Sequence, residues 1–147
     1  MTEHINKRHN KTLLLYHIVC PAKYRKVIFT ETVEESLKTV CIEISQRYEM
    51  HFVEIGADED HIHFLVQSVP KYSVTEIVTI LKSITARELF RLHPKIKKQL
   101  WGGHIWTSGY YANTVGQYGN EKVIQQYVQS QGKHYKRILT QQLSLFE

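Results

Sequence analysis

The chain has 147 residues, 42% of them hydrophobic, two cysteines and a formal net charge of +5. That length suits one domain burying about two-thirds of its unfolded surface. No run approaches the roughly 18–20 apolar residues of a membrane helix. Cys20 and Cys41 lack a CxxC spacing and a secretory context, so membrane and disulfide-framework classes fall away.

Residues 1–11 are polar and basic, without the apolar core of a secretory signal, and read as an N-terminal arm. Thr12 to Cys20 (TLLLYHIVC) is apolar and rich in β-formers, a buried strand stopped by Pro21. Thr32-x-x-Glu35 resembles a capping box. Val33, Leu37, Val40, Cys41, Ile44 and Tyr48 follow at helical spacing, with an end near Glu49. His51 to Ile55 reads as a strand, residues 56–60 as a polar turn, and His61 to Gln67 as the returning strand, stopped by Pro70.

Ser73-x-x-Glu76 is a second capping box. It opens a helix whose apolar stripe is Val74, Ile77, Leu81, Ile84 and Leu89, ended by His93-Pro94. A connector containing Trp101, Gly102 and Gly103 leads to Ile105–Val115, which has strand character despite Gly109. Gly116 and Gly119 bracket Tyr118. Asn120 can cap a last helix reaching about Gln131, closed by Gly132.

The order β-α-β-β-α-β-α predicts an α+β fold of the ferredoxin-like or RNA-recognition-like (RRM-like) type. It has an antiparallel four-stranded sheet, two helices on one face and an added C-terminal helix. The first and third strands are then central. Ile62, Phe64 and Val66 face the helices, and His61 and His63 share the other face, because residues two apart in a strand point the same way. Leu65 continues that face, so the imidazoles are partly buried and must be satisfied by a metal or by ordinary hydrogen bonds. Asp58, Glu59 and Asp60 make the approach electronegative.

In the last helix Tyr127 and Gln131, four apart, stack on one face. Two imidazoles and an amide oxygen can hold a divalent cation. A phenol beside that cation has its high pKa lowered and becomes a nucleophile, a pairing suited to phosphoryl transfer onto tyrosine. Tyr127 is one of nine tyrosines, and a core aromatic is the plainer reading.

Several stretches together resemble one family: His61-Ile62-His63, Tyr127-x-x-x-Gln131, Trp101-Gly102-Gly103-x-x-Trp106 to Val115-Gly116, and Tyr16-His17-Ile18-Val19 with Lys23-Tyr24-Arg25. The chain is similar to the single-tyrosine, His-hydrophobic-His (HUH) transposases of the insertion sequence 200/605 group, the TnpA-like enzymes. The resemblance spans about residues 10 to 135 and departs at no catalytic position.

It implies a catalytic domain over 12–135, a tail over 136–147, and a DNA transposase working in the prokaryotic cytosol or nucleoid. Single-stranded DNA would be cleaved and rejoined at hairpin-bearing element ends through a 5′-phosphotyrosine on Tyr127. His61, His63 and Gln131 would bind Mg²⁺ or Mn²⁺, although imidazoles alone favour Zn²⁺. The protein would be a homodimer with composite active sites, Gly116 and Gly119 serving as hinges.

Between Lys82 and Lys98 six cations meet one acid, Glu88. Lys82, Arg87, Arg91, Lys95, Lys97 and Lys98, with Lys23 and Arg25, are candidate phosphate contacts. Trp106, Tyr110 and Tyr111 are candidate stacking platforms for bases, set against core or dimer packing. A non-catalytic RRM-like binding module is the rival class, and a domesticated relative processing repeated palindromes would use the same residues.

Overall fold

A computed structural model describes residues 5–6, 11–22, 28–58, 60–100, 104–115 and 135–141. Two short strands, β1 (Ile5–Asn6) and β2 (Lys11–Thr12), pair with each other, so the expected polar arm contains a small ribbon. The main sheet comprises β3 (Leu14–Pro21), β4 (His51–Ala57), β5 (His61–Ser68), β6 (Tyr111–Thr114) and β7 (Lys136–Thr140). Their order is β6-β3-β5-β4-β7, every pairing antiparallel.

The first four positions in that order are the ferredoxin-like arrangement, with β3 and β5 inside as expected. The sheet has five strands rather than four. β7 adds to the β4 edge, so the segment expected as a tail opens with a strand. Leu139 explains the addition: it is 7% exposed and joins the main core.

Helices α1 (Glu31–Arg47) and α2 (Val74–Leu92) bury Leu37, Cys41, Ile44, Ile77, Leu81 and Leu89 with Ile18, Phe52, Phe64 and Val66 of the sheet. The α1 cap is Thr30, not Thr32. Thr30 is extended and accepts from the Val33 backbone N–H at 3.4 Å, which brings Glu31 and Glu34 into the first turn near the helix's positive end. The Ser73 box forms as read: Ser73 Oγ accepts from Glu76 N–H at 3.1 Å, and Glu76 Oε1 accepts from Ser73 N–H at 3.0 Å. Pro94 closes α2 and opens a short helix, α3 (Pro94–Gln99), where the missing proline N–H is harmless.

The strand expected over Ile105–Val115 shrinks to Tyr111–Thr114. Ile105 and Trp106 leave the sheet and enter the core. Trp106 packs near Phe29 and Phe64, and its indole N–H donates to buried Thr85 Oγ1 at 2.9 Å, so it is a core residue and not a stacking platform. Gly109 follows with φ +88°, a backbone that side-chain-bearing residues rarely adopt.

A β-bulge between Phe52 and Glu54 decides what β4 shows to each face. Strict alternation would put Phe52 and Glu54 on the same side. The extra residue keeps Phe52 in the helix-side core and frees Glu54 for the opposite face. That face carries a smaller cluster of Leu15, Val53 and Leu65 with Leu13, Val115 and Tyr135, and beside it the histidines.

Candidate active site

The hairpin between β4 and β5 builds the site. Asp58 N–H donates to the His61 carbonyl at 3.1 Å, while Asp58 Oδ1 accepts from the backbone N–H of His61 at 3.1 Å and of Asp60 at 3.3 Å. This is the local bonding by which a short aspartate side chain stabilises a turn. It leaves the Asp58 carboxylate between the two imidazoles: Oδ1 lies 3.3 Å from His61 Nδ1 and Oδ2 accepts from His63 Nε2 at 2.8 Å. The imidazole centroids are 6.5 Å apart. His61 is 43% exposed and His63 4%, so one ring meets solvent and the other sits inside.

Two residues not assigned to the site from sequence pack on His63. His17, fully buried on β3, places Nε2 3.0 Å from His63 Nδ1, and the two rings stack with centroids 5.3 Å apart. Asn113 sits opposite His17 across the β3–β6 ladder and pulls the pKa of its ring upward. On the other flank the Tyr135 ring meets His63 edge-on at 5.7 Å, and its hydroxyl donates to buried Glu54 at 2.7 Å. Thr140 also donates to Glu54, at 2.6 Å, and Arg137 lies 3.5 Å from it. The signal for His17 was its place two residues after Leu15 on the same strand face. Nothing local in the sequence marks Tyr135, since its partners are 81 and 72 positions away.

Burial, then the nearby His63 charge, lowers the His17 pKa to about 4 against an opposing pull from Asn113, so this imidazole is neutral near pH 7. Burial also lowers the His63 pKa, against the opposing pull of Asp58. For Asp58 burial acts upward, but the His63 hydrogen bond and the two imidazoles outweigh it and hold the carboxyl below its usual range. The Tyr135 phenol is pushed up by burial and then by Glu54. It is a neutral donor and does not suit a nucleophile's role.

The histidines open onto a pocket of about 390 Å³, whose sheet side also holds His17, Val19 and Pro21 and whose far wall is Ser108 to Tyr111. Lys82 holds that wall: Nζ donates to the Thr107 carbonyl at 3.0 Å and the Gly109 carbonyl at 2.6 Å. Lys82 is also a candidate phosphate contact, and two of its three N–H donors engage its own chain. Tyr110 and Tyr111 are 42% and 57% exposed at the pocket rim.

Arg87 and Arg91 are exposed on α2 beside Glu88, which Arg91 grips through two bonds of 3.2 Å. Lys95, Lys97 and Lys98 are exposed on α3. These cations belong to the helical layer, on the opposite side of the sheet from the histidines. Lys23, Arg25, Gly116, Gly119, Tyr127 and Gln131 lie outside the described residues.

The donor chemistry fits a divalent cation. Two imidazoles share one strand face, and the carboxylate between them adds a hard oxygen donor that imidazoles lack. Among the described residues no three His, Cys, Asp or Glu side chains stand ready to hold a metal ion. For a cation to be held here, the His63–Asp58 hydrogen bond would have to open and a further ligand would have to come from elsewhere. No helix among the described residues is long and apolar enough to cross a membrane.

Comparison with known proteins agrees with this architecture. Residues 10–131 match the family described as "Transposase IS200 like". The ISDra2 transposase TnpA of Deinococcus radiodurans is 30% identical over 118 residues, covering 80% of this chain and 84% of that protein. The transposase for insertion sequence element IS200 of Salmonella typhimurium is 28% identical over 137 residues, covering 93% of this chain and 88% of its own length. A crystal structure of a Deinococcus radiodurans R1 protein assigned as a transposase superposes with a TM-score of 0.68 at 28% identity, covering 86% of this chain and 97% of that one. The chain therefore belongs to the IS200-like transposase family and is a DNA-processing enzyme, set apart from RNA-recognition modules that share its sheet order.

Proposed function

We propose that the protein cleaves and rejoins single-stranded DNA at hairpin-bearing element ends through a 5′-phosphotyrosine on Tyr127. The observation that carries the reading is the His61–Asp58–His63 cluster on the open face of the sheet, in a chain whose family match also spans Tyr127 and Gln131. His61, His63 and Gln131, with Asp58 beside them, would hold Mg²⁺ or Mn²⁺. The bound cation supplies Lewis-acid polarisation of a phosphoryl oxygen.

Tyr127 Oη forms the new P–O bond as its proton leaves, and the DNA 3′-oxygen departs and takes up a proton as a free hydroxyl. That hydroxyl later attacks a second phosphotyrosine and restores a phosphodiester, so strand joining needs no external energy source. Buried His63 gives a fixed direction of binding, while exposed His61 faces the substrate side. The Lys82-held wall bounds the groove, and Tyr110 and Tyr111 at its rim offer stacking surface to unpaired bases. The working unit would be a homodimer with composite sites, the Tyr127 helix pivoting near Gly116 and Gly119.

The test is a denaturing-gel assay with a hairpin-bearing single strand carrying the element's own end. Wild type with Mg²⁺ should give a covalent protein–DNA adduct. Tyr127→Phe should bind the hairpin without forming it, and EDTA should stop cleavage. An adduct from Tyr127→Phe would disprove the nucleophile; full cleavage in EDTA would disprove the metal.

A further inference from the structure

We infer that His17 is a positioning residue for His63, fixing the plane of that ring and accepting a hydrogen bond from its Nδ1–H when Nε2 turns a lone pair to a metal ion. The inference rests on the metal-site reading above. An imidazole that ligates through one nitrogen keeps its proton on the other, and a buried N–H needs an acceptor. The partner that the structure gives His63 Nδ1 is His17 Nε2, 3.0 Å away. The rings lie within 17° of parallel, with His17 fully buried and His63 4% exposed, so neither turns freely.

The geometry also describes the exchange. A carboxylate only accepts, so with His63 Nε2 bonded to Asp58 Oδ2 at 2.8 Å that nitrogen carries the proton. Nδ1 then accepts from His17 Nε2–H. Loading a cation reverses the chain: the His63 proton moves to Nδ1, and His17 Nε2 becomes the acceptor. The His17 proton moves to its own Nδ1, on the strand that pairs with Asn113 across the ladder. Both rings stay neutral, no proton is gained or lost overall, and the freed Asp58 carboxylate faces the cation. An apolar residue at position 17 would leave the reversed chain without an acceptor.

Removing such a hydrogen-bonding partner of a ligating histidine typically weakens metal binding about 10- to 100-fold. Mn²⁺ binding to the full chain, followed by electron paramagnetic resonance of the free ion, should show that loss for His17→Phe. His17→Gln, whose amide oxygen can accept, should recover most of the affinity. Hairpin-oligonucleotide binding reports whether each variant is folded, and His61→Ala is the control. Wild-type Mn²⁺ affinity in His17→Phe with loss in His61→Ala would overturn the positioning role alone. Wild-type affinity in His61→Ala would instead overturn the metal-site reading, and this inference with it. Should His17→Phe fail to fold, imidazole ¹⁵N shifts of the Mg²⁺-loaded wild type decide. Protonated His63 Nδ1 supports the role, and an unprotonated Nδ1 refutes it.

Discussion

Replacing Gly56 by alanine tests the wall behind His63. In a strand interior alanine is ordinarily the better residue, and the substitution by itself would stabilise by about 0.4–1 kcal/mol through the unfolded chain. Here the added Cβ would stand 1.9 Å from Tyr135 Cζ and 2.0 Å from its hydroxyl oxygen, separations no packing tolerates. The Tyr135 ring must move, breaking its 2.7 Å bond to Glu54, a carboxylate with no solvent exposure. A hydrogen bond to a charged group contributes about 1.5–3 kcal/mol, and uncovering the half-buried Tyr135 ring costs roughly 1 kcal/mol more.

The clash therefore wins, with a net loss of about 1.5–3.5 kcal/mol against a typical total of roughly 5–15 kcal/mol. For a domain of this size that lowers Tm by on the order of 10 °C. Urea and thermal unfolding of Gly56→Ala, Tyr135→Ala and the double variant give the coupling directly. With Tyr135 already gone, Gly56→Ala should be neutral or slightly stabilising. A single-variant loss below about 1 kcal/mol would refute the packing argument, as would a cost undiminished in the Tyr135→Ala background.

Thr85→Val should destabilise by about 1–3 kcal/mol, because it leaves the buried Trp106 indole N–H without its acceptor, and urea midpoints with tryptophan fluorescence will show it. Lys82→Met should slow cleavage by loosening the 107–109 wall while leaving the salt dependence of hairpin binding unchanged, since both recorded partners of Nζ are carbonyls of its own chain. By contrast, a cation that meets phosphate, tested with Lys97→Ala, should reduce the slope of log K against log salt by about one. A reduced slope for Lys82→Met would return that residue to the DNA surface.

The ferredoxin-like order was legible because each element carries a local signal. Periodicity marked both long helices, Ser73 and Glu76 marked a start, and period two along His61 to Gln67 separated Phe64 from the histidines. Boundaries failed where two local solutions compete, as between Thr30 and Thr32, which both offer a capping hydroxyl. The strand over Ile105–Val115 failed because Trp106 gains more from core burial and the Thr85 bond than from staying in a sheet. β7 escaped notice because five residues with two buried-type side chains carry little pattern of their own.

By itself the sequence determined which residue types share a face: the imidazole pair at positions 61 and 63, the apolar stripes, and the family pattern that runs on to Tyr127 and Gln131. Those follow from covalent spacing and backbone period, which are local. Only the tertiary structure decided what meets His63. His17 arrives across a ladder, Tyr135 from the far end of the chain, and a single bulged residue in β4 turns Glu54 to receive it. The histidine pair is visible in one strand, while the packing that orients it comes from three others.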